Sequence, residues 1–261
     1  MYLSSKNKKI LIISDIHMNI DKLKEIIKHE NADINLVLGD WFDSFYIDDN
    51  SDYRRVTKYL KEEFFASDKN ITLMGNHDVH YLYDNHWACC SGFEQRKYDV
   101  INEAIESDRE EFAKKFKWFI WVDDYLCSHA GLHPMHLRPY AKTDKESITE
   151  YLYMEANQAN FNLSSVANTP HWFYGAGRAR GGRLRRGGLT WLDFDYEFEP
   201  IEGLKQIVGH TNRQSNVVEQ HHLEGFGNVA DANNICIDTF QNEYLIVQYE
   251  KLFIKKYMDL F

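Results

Sequence analysis

The sequence predicts an α/β fold, and three features of its first 80 residues predict it. Short apolar, β-branched runs recur at 9–13, 34–38 and 71–74; stretches with helical apolar spacing separate them; and each run ends in polar residues able to bind a metal. A run that is apolar at every position fits a strand buried on both faces, and strand, helix, strand order implies parallel pairing. Two further apolar runs near the C-terminus add a second sheet.

The first predicted strand, 9–13, delivers Asp15 and His17. Taken alone, an Asp-x-His is as readily a helix cap with an incidental His. Ile20, Leu23, Ile26 and Ile27 recur at helical spacing across 19–30, which reads as a crossover helix. The second strand, 34–38, ends in Gly39-Asp40-Trp41-Phe42-Asp43, which in isolation would pass for an acidic turn. Val56, Tyr59, Leu60 and Phe64 then give 52–65 one helical face. The third strand, 71–74, runs out into a loop at Gly75-Asn76-His77-Asp78, and open α/β sheets keep their ligand sites at such strand ends. An Asn amide oxygen is a hard metal ligand, and a His beside it is placed to trade a proton with whatever the metal binds.

Beyond His80 the pattern loosens into an aromatic, polar segment containing Cys89-Cys90. No His or Cys stands at ligand spacing from them, so they read as buried or inert thiols. An amphipathic helix is expected over 102–117, with Ala104, Ile105, Phe112 and Phe116 inward. A hairpin follows at 118–122 and 125–127 around Asp123-Asp124, and it delivers His129. Another helix falls within 145–160. The segment 175–188 is strongly basic, with Arg178, Arg180, Arg183, Arg185 and Arg186 set among glycines. Flexible backbone with guanidinium groups suits a phosphate clamp, the alternative being a solvated loop. Gly175-Ala176-Gly177 is not a dinucleotide fingerprint, because Arg180 occupies the place of the third glycine and no clear strand precedes it. A short strand at 206–208 ends in Gly209-His210-Thr211. The closing runs 235–237 and 244–249 read as antiparallel partners around Gln241-Asn242 and build the second sheet.

A chain of 261 residues with 44% hydrophobic content suits one domain spanning 1–261. The net charge of -10 argues against general nucleic-acid binding, since most of the surface would repel a phosphate backbone. Cysteines at 89, 90, 127 and 236 include no Cys-x-x-Cys pair and suit reduced thiols and a cytoplasmic location. Ser14-Asp15 interrupts the first apolar run too early for a signal peptide or a membrane span, so no membrane association is expected.

Asp15, His17, Asp40, Asn76, His129 and His210 all fall at ends of predicted strands, and all offer oxygen or nitrogen ligands. That is enough for two divalent metals, with a bridging carboxylate and positions left open for water and substrate. In this order, Asp15-x-His17, Gly39-Asp40-x-x-Asp43, Gly75-Asn76-His77-Asp78, a later His and Gly209-His210-Thr211 strongly resemble the calcineurin-like metallophosphoesterase superfamily. Within it, Cys127-Ser128-His129-Ala130-Gly131-Leu132 and Asn234-Ile235-Cys236-Ile237-Asp238-Thr239 are similar to the branch of phosphoprotein phosphatases and symmetrical dinucleoside-tetraphosphate hydrolases. The resemblance covers nearly the whole chain. It implies a two-sheet β-sandwich flanked by helices, with a dinuclear metal site at the strand ends. It further implies that Asp15 and His17 hold the first metal, that Asp40 bridges, and that Asn76, His129 and His210 hold the second. His77 would be the general acid, oriented by the hydrogen bond its ring donates to Asp43, which would not be a ligand.

One departure matters. The phosphatase branch usually continues past the second Asp with Arg-Gly, the Arg gripping phosphate, whereas Ser44-Phe45 follow Asp43 here. A replacement must come from Arg54 or Arg55, or preferably from the basic loop, where Arg180 and Arg183 are the candidates. The leading expectation is a phosphomonoesterase acting on a phosphoprotein or small phosphorylated metabolite, through in-line attack by a metal-bridging hydroxide. Hydrolysis of dinucleoside polyphosphates or other phosphodiesters is the enzymatic alternative. A non-catalytic binding module on the same fold is the alternative of another class, and the full ligand set with the His77–Asp43 pair argues against it. A donor set without thiolate suits Mn, Fe, Zn or Mg without choosing among them, and Mn2+ is the leading expectation.

Overall fold

The computed structural model describes residues 1–44, 46–137, 142–165, 169–212, 219–221 and 233–260. Phe45, expected beside Asp43, therefore lies outside the described residues. In chain order the elements are β1 (Tyr2–Leu3), β2 (Ile10–Ile13), α1 (Ile20–Glu30), β3 (Ile34–Val37), α2 (Asn50–Tyr59), β4 (Asn70–Leu73), α3 (Asn76–Leu82), α4 (Gln95–Ile105), α5 (Arg109–Ala113), β5 (Phe116–Lys117), β6 (Phe119–Val122), β7 (Tyr125–Ser128), α6 (Lys145–Ser164), β8 (Lys205–Val208), β9 (Glu219–His221), β10 (Asn234–Cys236), β11 (Glu243–Gln248) and β12 (Lys251–Lys256). They form two mixed sheets, ordered β12-β11-β2-β3-β4-β5 and β1-β6-β7-β8-β10-β9.

Side-chain alternation explains the layers. Ile10 and Ile12 of β2, Ile34 and Leu36 of β3 and Leu73 of β4 share one buried cluster with Ile120, Cys127, Ile207 and Ile235 of the other sheet. This is the interior of a β-sandwich. The intervening Leu11, Ile13 and Val37 instead join a cluster with Leu23 and Ile26 of α1 and Val56 of α2. β2 is thus apolar at every position because both of its faces are covered. The pairings β2–β3, β3–β4 and β4–β5 are parallel, as the strand and helix alternation requires. α2 opens on an Asp49 cap and passes into a π-helical turn at Leu60–Phe64, which keeps Leu60 and Phe64 buried.

Three expectations are corrected. The helix expected over 102–117 begins earlier, at Gln95, and breaks after Ile105; Phe116 and Lys117 are a strand paired with β4. Lys61 holds the break by donating to the Ala104 carbonyl at 3.2 Å and the Asp108 carboxylate at 2.9 Å, which satisfies a helix-end carbonyl. The closing runs are not partners in one sheet: β10 lies parallel to β8, whereas β11 lies antiparallel to β2 and β12. The turn between them, with Phe240 and Gln241 both left-handed at φ 53° and 60°, carries the chain across the sandwich. The Gln241 amide donates to the carbonyls of Asp15 and Ile16, so that crossing is tied to the end of β2. Finally, Asn76 to Asp78 open helix α3 rather than a loop.

A buried hydrogen bond couples β3 to β4: Trp41 Nε1 donates to Thr72 Oγ1 at 2.7 Å. Thr72→Val keeps the shape but strands the indole N–H, so it should destabilise the protein by about 1 to 3 kcal/mol. Urea unfolding would show this as a lower midpoint at unchanged slope, and a midpoint equal to the parent's would show that the bond contributes nothing.

Candidate metal centre

The site forms where strand ends from both sheets meet. Asp15 and His17 follow β2, Asp40 and Asp43 follow β3, Asn76 and His77 follow β4, and His129 and His210 follow β7 and β8. Two glycines allow the ends of β3 and β4 to touch. A Cβ on Gly39, whose φ is 107°, would lie 2.6 Å from Gly75 N, and a Cβ on Gly75 would lie 2.1 Å from Asp40 Oδ1. Asp78 locks this approach by accepting the backbone N–H groups of Asp40 and Trp41 at 2.8 Å each and of Gly75 at 2.9 Å. Burial first, and then the Asp40 charge, push the Asp78 acid up to about 7, while the amide donors pull the other way.

Asp15, His17 and Asp40 form one group of candidate ligands, and Asp40, His129 and His210 form another; within each, the donor atoms lie within 4.8 Å of one another. Asp40 belongs to both. Its Oδ1 accepts the His77 N–H at 2.9 Å, so Oδ2 faces the imidazoles, 3.8 Å from His17 Nε2 and 3.4 Å from His129 Nε2. Each ring is aimed by a backbone carbonyl: His129 Nδ1 lies 2.9 Å from Leu38 O, and His17 Nδ1 lies 2.9 Å from Asp43 O. A proton on each Nδ1 leaves both Nε2 atoms turned toward the centre. Asn76 Oδ1 stands 3.0 Å and His210 Nδ1 3.3 Å from His129 Nε2.

These spacings fit a cation. Metal–ligand bonds of about 2.1 Å place neighbouring donors about 3.0 to 3.4 Å apart, which is the separation seen around His129 Nε2. Burial lowers the His129 pKa, but the Asp40 carboxylate outweighs it and lifts the value to about 9. Burial would raise the Asp40 acid, yet His129 and then His77 hold it well below the carboxylate range. Burial and the neighbouring His129 hold His210 well below the usual histidine value, as a neutral ligand needs. The geometry is strained: Asp15, His17, Asp40, Asp43 and His210 all have left-handed backbones, with φ between 42° and 67°. Each such residue costs roughly 1 to 2 kcal/mol, which the surrounding sandwich sustains.

Beside the two groups, His77 Nδ1 lies 2.8 Å from Asp43 Oδ2. Asp43 points its carboxylate at this ring, while its carbonyl serves His17. Burial works against a charged His77, but Asp40 and the Asp43 hydrogen bond raise its pKa well above the ordinary value. Three further side chains reach Asp43, and the motifs do not contain them. Tyr81 OH donates to Oδ1 at 2.7 Å, Lys97 Nζ lies 3.1 Å from the same oxygen, and Cys90 Sγ lies 3.6 Å from Oδ2. Cys90, read from sequence as inert, is buried as expected but sits against the site, while Cys89 is exposed. Nothing in the sequence joins residue 90 to residue 43; only the fold does.

The arginines divide. Arg54 pairs with Glu103 and Arg55 with Asp21, both on the exposed face of α2, so neither replaces the missing clamp. Arg180 reaches the centre: its Nη2 lies 3.4 Å from Thr211 Oγ1, and Asp193 holds its Nε at 2.7 Å. Arg183 is not brought there; its guanidinium lies over the Trp87 ring, 5.3 Å from the centroid. The buried Glu197 ties the basic loop down by accepting the N–H groups of Ala179 at 3.0 Å and Gly187 at 2.7 Å. The two acids that organise it, Asp193 and Glu197, follow the loop in an aromatic segment. Charge complementarity was the one sequence signal for them.

A metal must displace the His129 proton, so at pH 7 binding of Mn2+ should release about one proton, and affinity should fall as pH drops below about 9. Calorimetry in buffers of different ionisation enthalpy measures this, and zero release would remove His129 from the ligand set. Asp40→Asn should weaken both sites together, lowering metal content from about two ions per chain. Full occupancy in that variant would contradict a shared carboxylate.

The family model for calcineurin-like phosphoesterases matches residues 8–214. No curated protein matches the sequence. Among solved structures, a cold-active protein-tyrosine phosphatase of a psychrophile, Shewanella sp., has a TM-score of 0.58 at 17% identity, over 98% of this chain and 80% of that one. A protein serine/threonine phosphatase from Saccharomyces cerevisiae has a TM-score of 0.51 at 14% identity, over 98% of this chain and 82% of that one. A putative diadenosine tetraphosphatase has a TM-score of 0.45 at 14% identity, over 98% of this chain and 97% of that one. At such identities the first two likenesses speak to the fold. The matched segment contains every motif from Asp15 to His210, and the chain belongs to the calcineurin-like phosphoesterase family, a family of dinuclear-metal-dependent hydrolases of phosphate esters.

Proposed function

We propose that the protein is a phosphomonoesterase that uses two Mn2+ ions to hydrolyse a phosphoprotein or a small phosphorylated metabolite. The observation that carries this reading is the His77–Asp43 pair, 2.8 Å apart and hydrogen-bonded through the His77 N–H to the Asp40 shared by both ligand groups. Asp15 and His17 would hold one ion and Asn76, His129 and His210 the other, with Asp40 between them. When bound, such ions supply Lewis-acid stabilisation of phosphoryl charge and acidify water.

The chain's own residues do the rest. With Nδ1–H given to Asp43, protonated His77 has Nε2–H left for the departing oxygen. Losing that proton leaves a neutral ring still held by Asp43. Arg180, oriented by Asp193, binds a terminal phosphoryl oxygen through its fork of donors. Its contact with Thr211, next to His210, brings one guanidinium fork to the edge of the cluster, which suits a single phosphoryl group. A cavity of about 410 Å³, bounded by Asp15, His17, Tyr46, Ile47 and Phe240, opens beside the centre and gives the ester group room. A binding module without catalysis would not need the His77–Asp43 pair.

His77→Asn should cut turnover of an alkyl phosphate by roughly 10² to 10⁴, because an alkoxide leaves poorly without a proton. The loss on p-nitrophenyl phosphate should be distinctly smaller at equal metal content. Equal losses on both would withdraw the acid role. Arg180→Ala should raise KM about 10- to 150-fold, equivalent to about 1.5 to 3 kcal/mol for a lost charge-assisted contact, with Arg183→Ala much milder. An unchanged KM in Arg180→Ala would mean that phosphate is gripped elsewhere.

A further inference from the structure

We infer that Lys97 and Tyr81 are positioning residues for this hydrolysis: together they clamp one oxygen of Asp43 so that the other faces His77, with the weaker Cys90 thiol contact beside it. The inference rests on the reading of His77 as the proton donor. An Asp carboxylate rotates readily about its last side-chain bond, and nothing in the carboxylate itself distinguishes its two oxygens. Here the surroundings distinguish them. Oδ1 accepts Tyr81 OH at 2.7 Å and Lys97 Nζ at 3.1 Å, while Oδ2 takes His77 Nδ1 at 2.8 Å. The two donors on Oδ1 come from different helices, Tyr81 from α3 and Lys97 from α4. A turn of the carboxylate would have to break both.

The placement of Lys97 is unusual for its residue type. Lysines are rarely buried unless paired, yet Lys97 is 5% exposed. Its ammonium also meets Gly92 O at 2.9 Å, Glu94 at 3.2 Å and Asp48 at 3.5 Å. Those two acids stand half exposed, where a lysine could have paired with them at the surface. It reaches past them to a carboxylate that is 7% exposed, and so ties α4 to the catalytic loop. Tyr81 is fully buried with its hydroxyl on the same oxygen. Asp43 in turn sends its carbonyl to His17 Nδ1, so an error in its orientation would reach both histidines.

The test measures kcat and KM for an alkyl phosphate and for p-nitrophenyl phosphate on the Mn2+-loaded full chain. Lys97→Met and Tyr81→Phe are compared with His77→Asn, with metal content and thermal midpoint read for each. Lys97→Met keeps the length without the charge; Tyr81→Phe keeps the buried ring and protects against a failure to fold. Each should lower kcat for the alkyl phosphate about 10- to 100-fold, the usual effect of a lost orienting partner, with a clearly smaller loss on the aryl phosphate and little change in KM. In the His77→Asn background neither should add further selectivity, since the group they position is gone. Folded, metal-loaded variants that lose both substrates equally, or neither, would show a purely structural role and overturn the inference. If His77→Asn is itself unselective between the substrates, the proton-donor reading falls and the inference falls with it. Selectivity in His77→Asn without selectivity in Lys97→Met and Tyr81→Phe overturns the positioning role alone.

Discussion

The centre depends on one carboxylate whose two oxygens have different work. Asp40 is 2% exposed, and a charge buried so deeply is tolerated only when every lone pair is engaged. One oxygen is engaged by the His77 N–H, at the first turn of α3, where a helix favours negative charge. The other faces His17 and His129, one from each group of candidate ligands. Proximity of the buried Asp15 compounds the problem, since burial and the neighbouring Asp40 both raise its pKa. Such a concentration of negative charge has a natural remedy in cations.

Holding these groups together is a task for the backbone. Leu38 O aims His129 and Asp43 O aims His17. Asp78 gathers three amides from two strand ends, one of them the backbone N–H of the shared ligand Asp40. The left-handed residues at the strand ends turn their side chains back toward one another instead of along the strand direction. Rigidity comes from the apolar interior on one face of each strand and the helix-covered cluster on the other. Strained loops keep their shape because strands buried on both faces anchor them.

Electrostatically, the candidate ligands and the basic loop are separate parts of the structure. The ligand cluster is acidic and imidazole-rich, and cations surround it on several sides: Lys97 on Asp43, Lys22 in the cavity beside Asp15 and His17, and Arg180 held by Asp193. Ser44 follows Asp43 here, and the guanidinium beside Thr211 belongs to Arg180, 136 positions beyond Ser44. Glu197 holds that loop to the body of the sandwich, so its reach is set by packing rather than by chance encounter.

Much of this was legible in the order of residues. Apolar runs of four or five positions marked β2, β3 and β4, because a strand covered on both faces has little polar side to show, and a shorter stretch at 206–208 marked β8. Gly-Asp, Gly-Asn and Gly-His at their ends marked the centre, since the same close approach that demands glycine brings the ligands together. The fate of β10 and β11 was not legible: a turn between two apolar runs looks alike whether the chain folds back in one sheet or crosses to another, and hydrogen bonds from Gln241 to residues more than 200 positions away decided it. Nor were Lys97, Tyr81 and Cys90 visible as neighbours of Asp43, or Arg180 separable from Arg183. Local pattern determines which side chains leave a strand or helix on which face; which distant faces then meet is settled by burial of the sandwich interior, an interaction that carries no signature in sequence spacing.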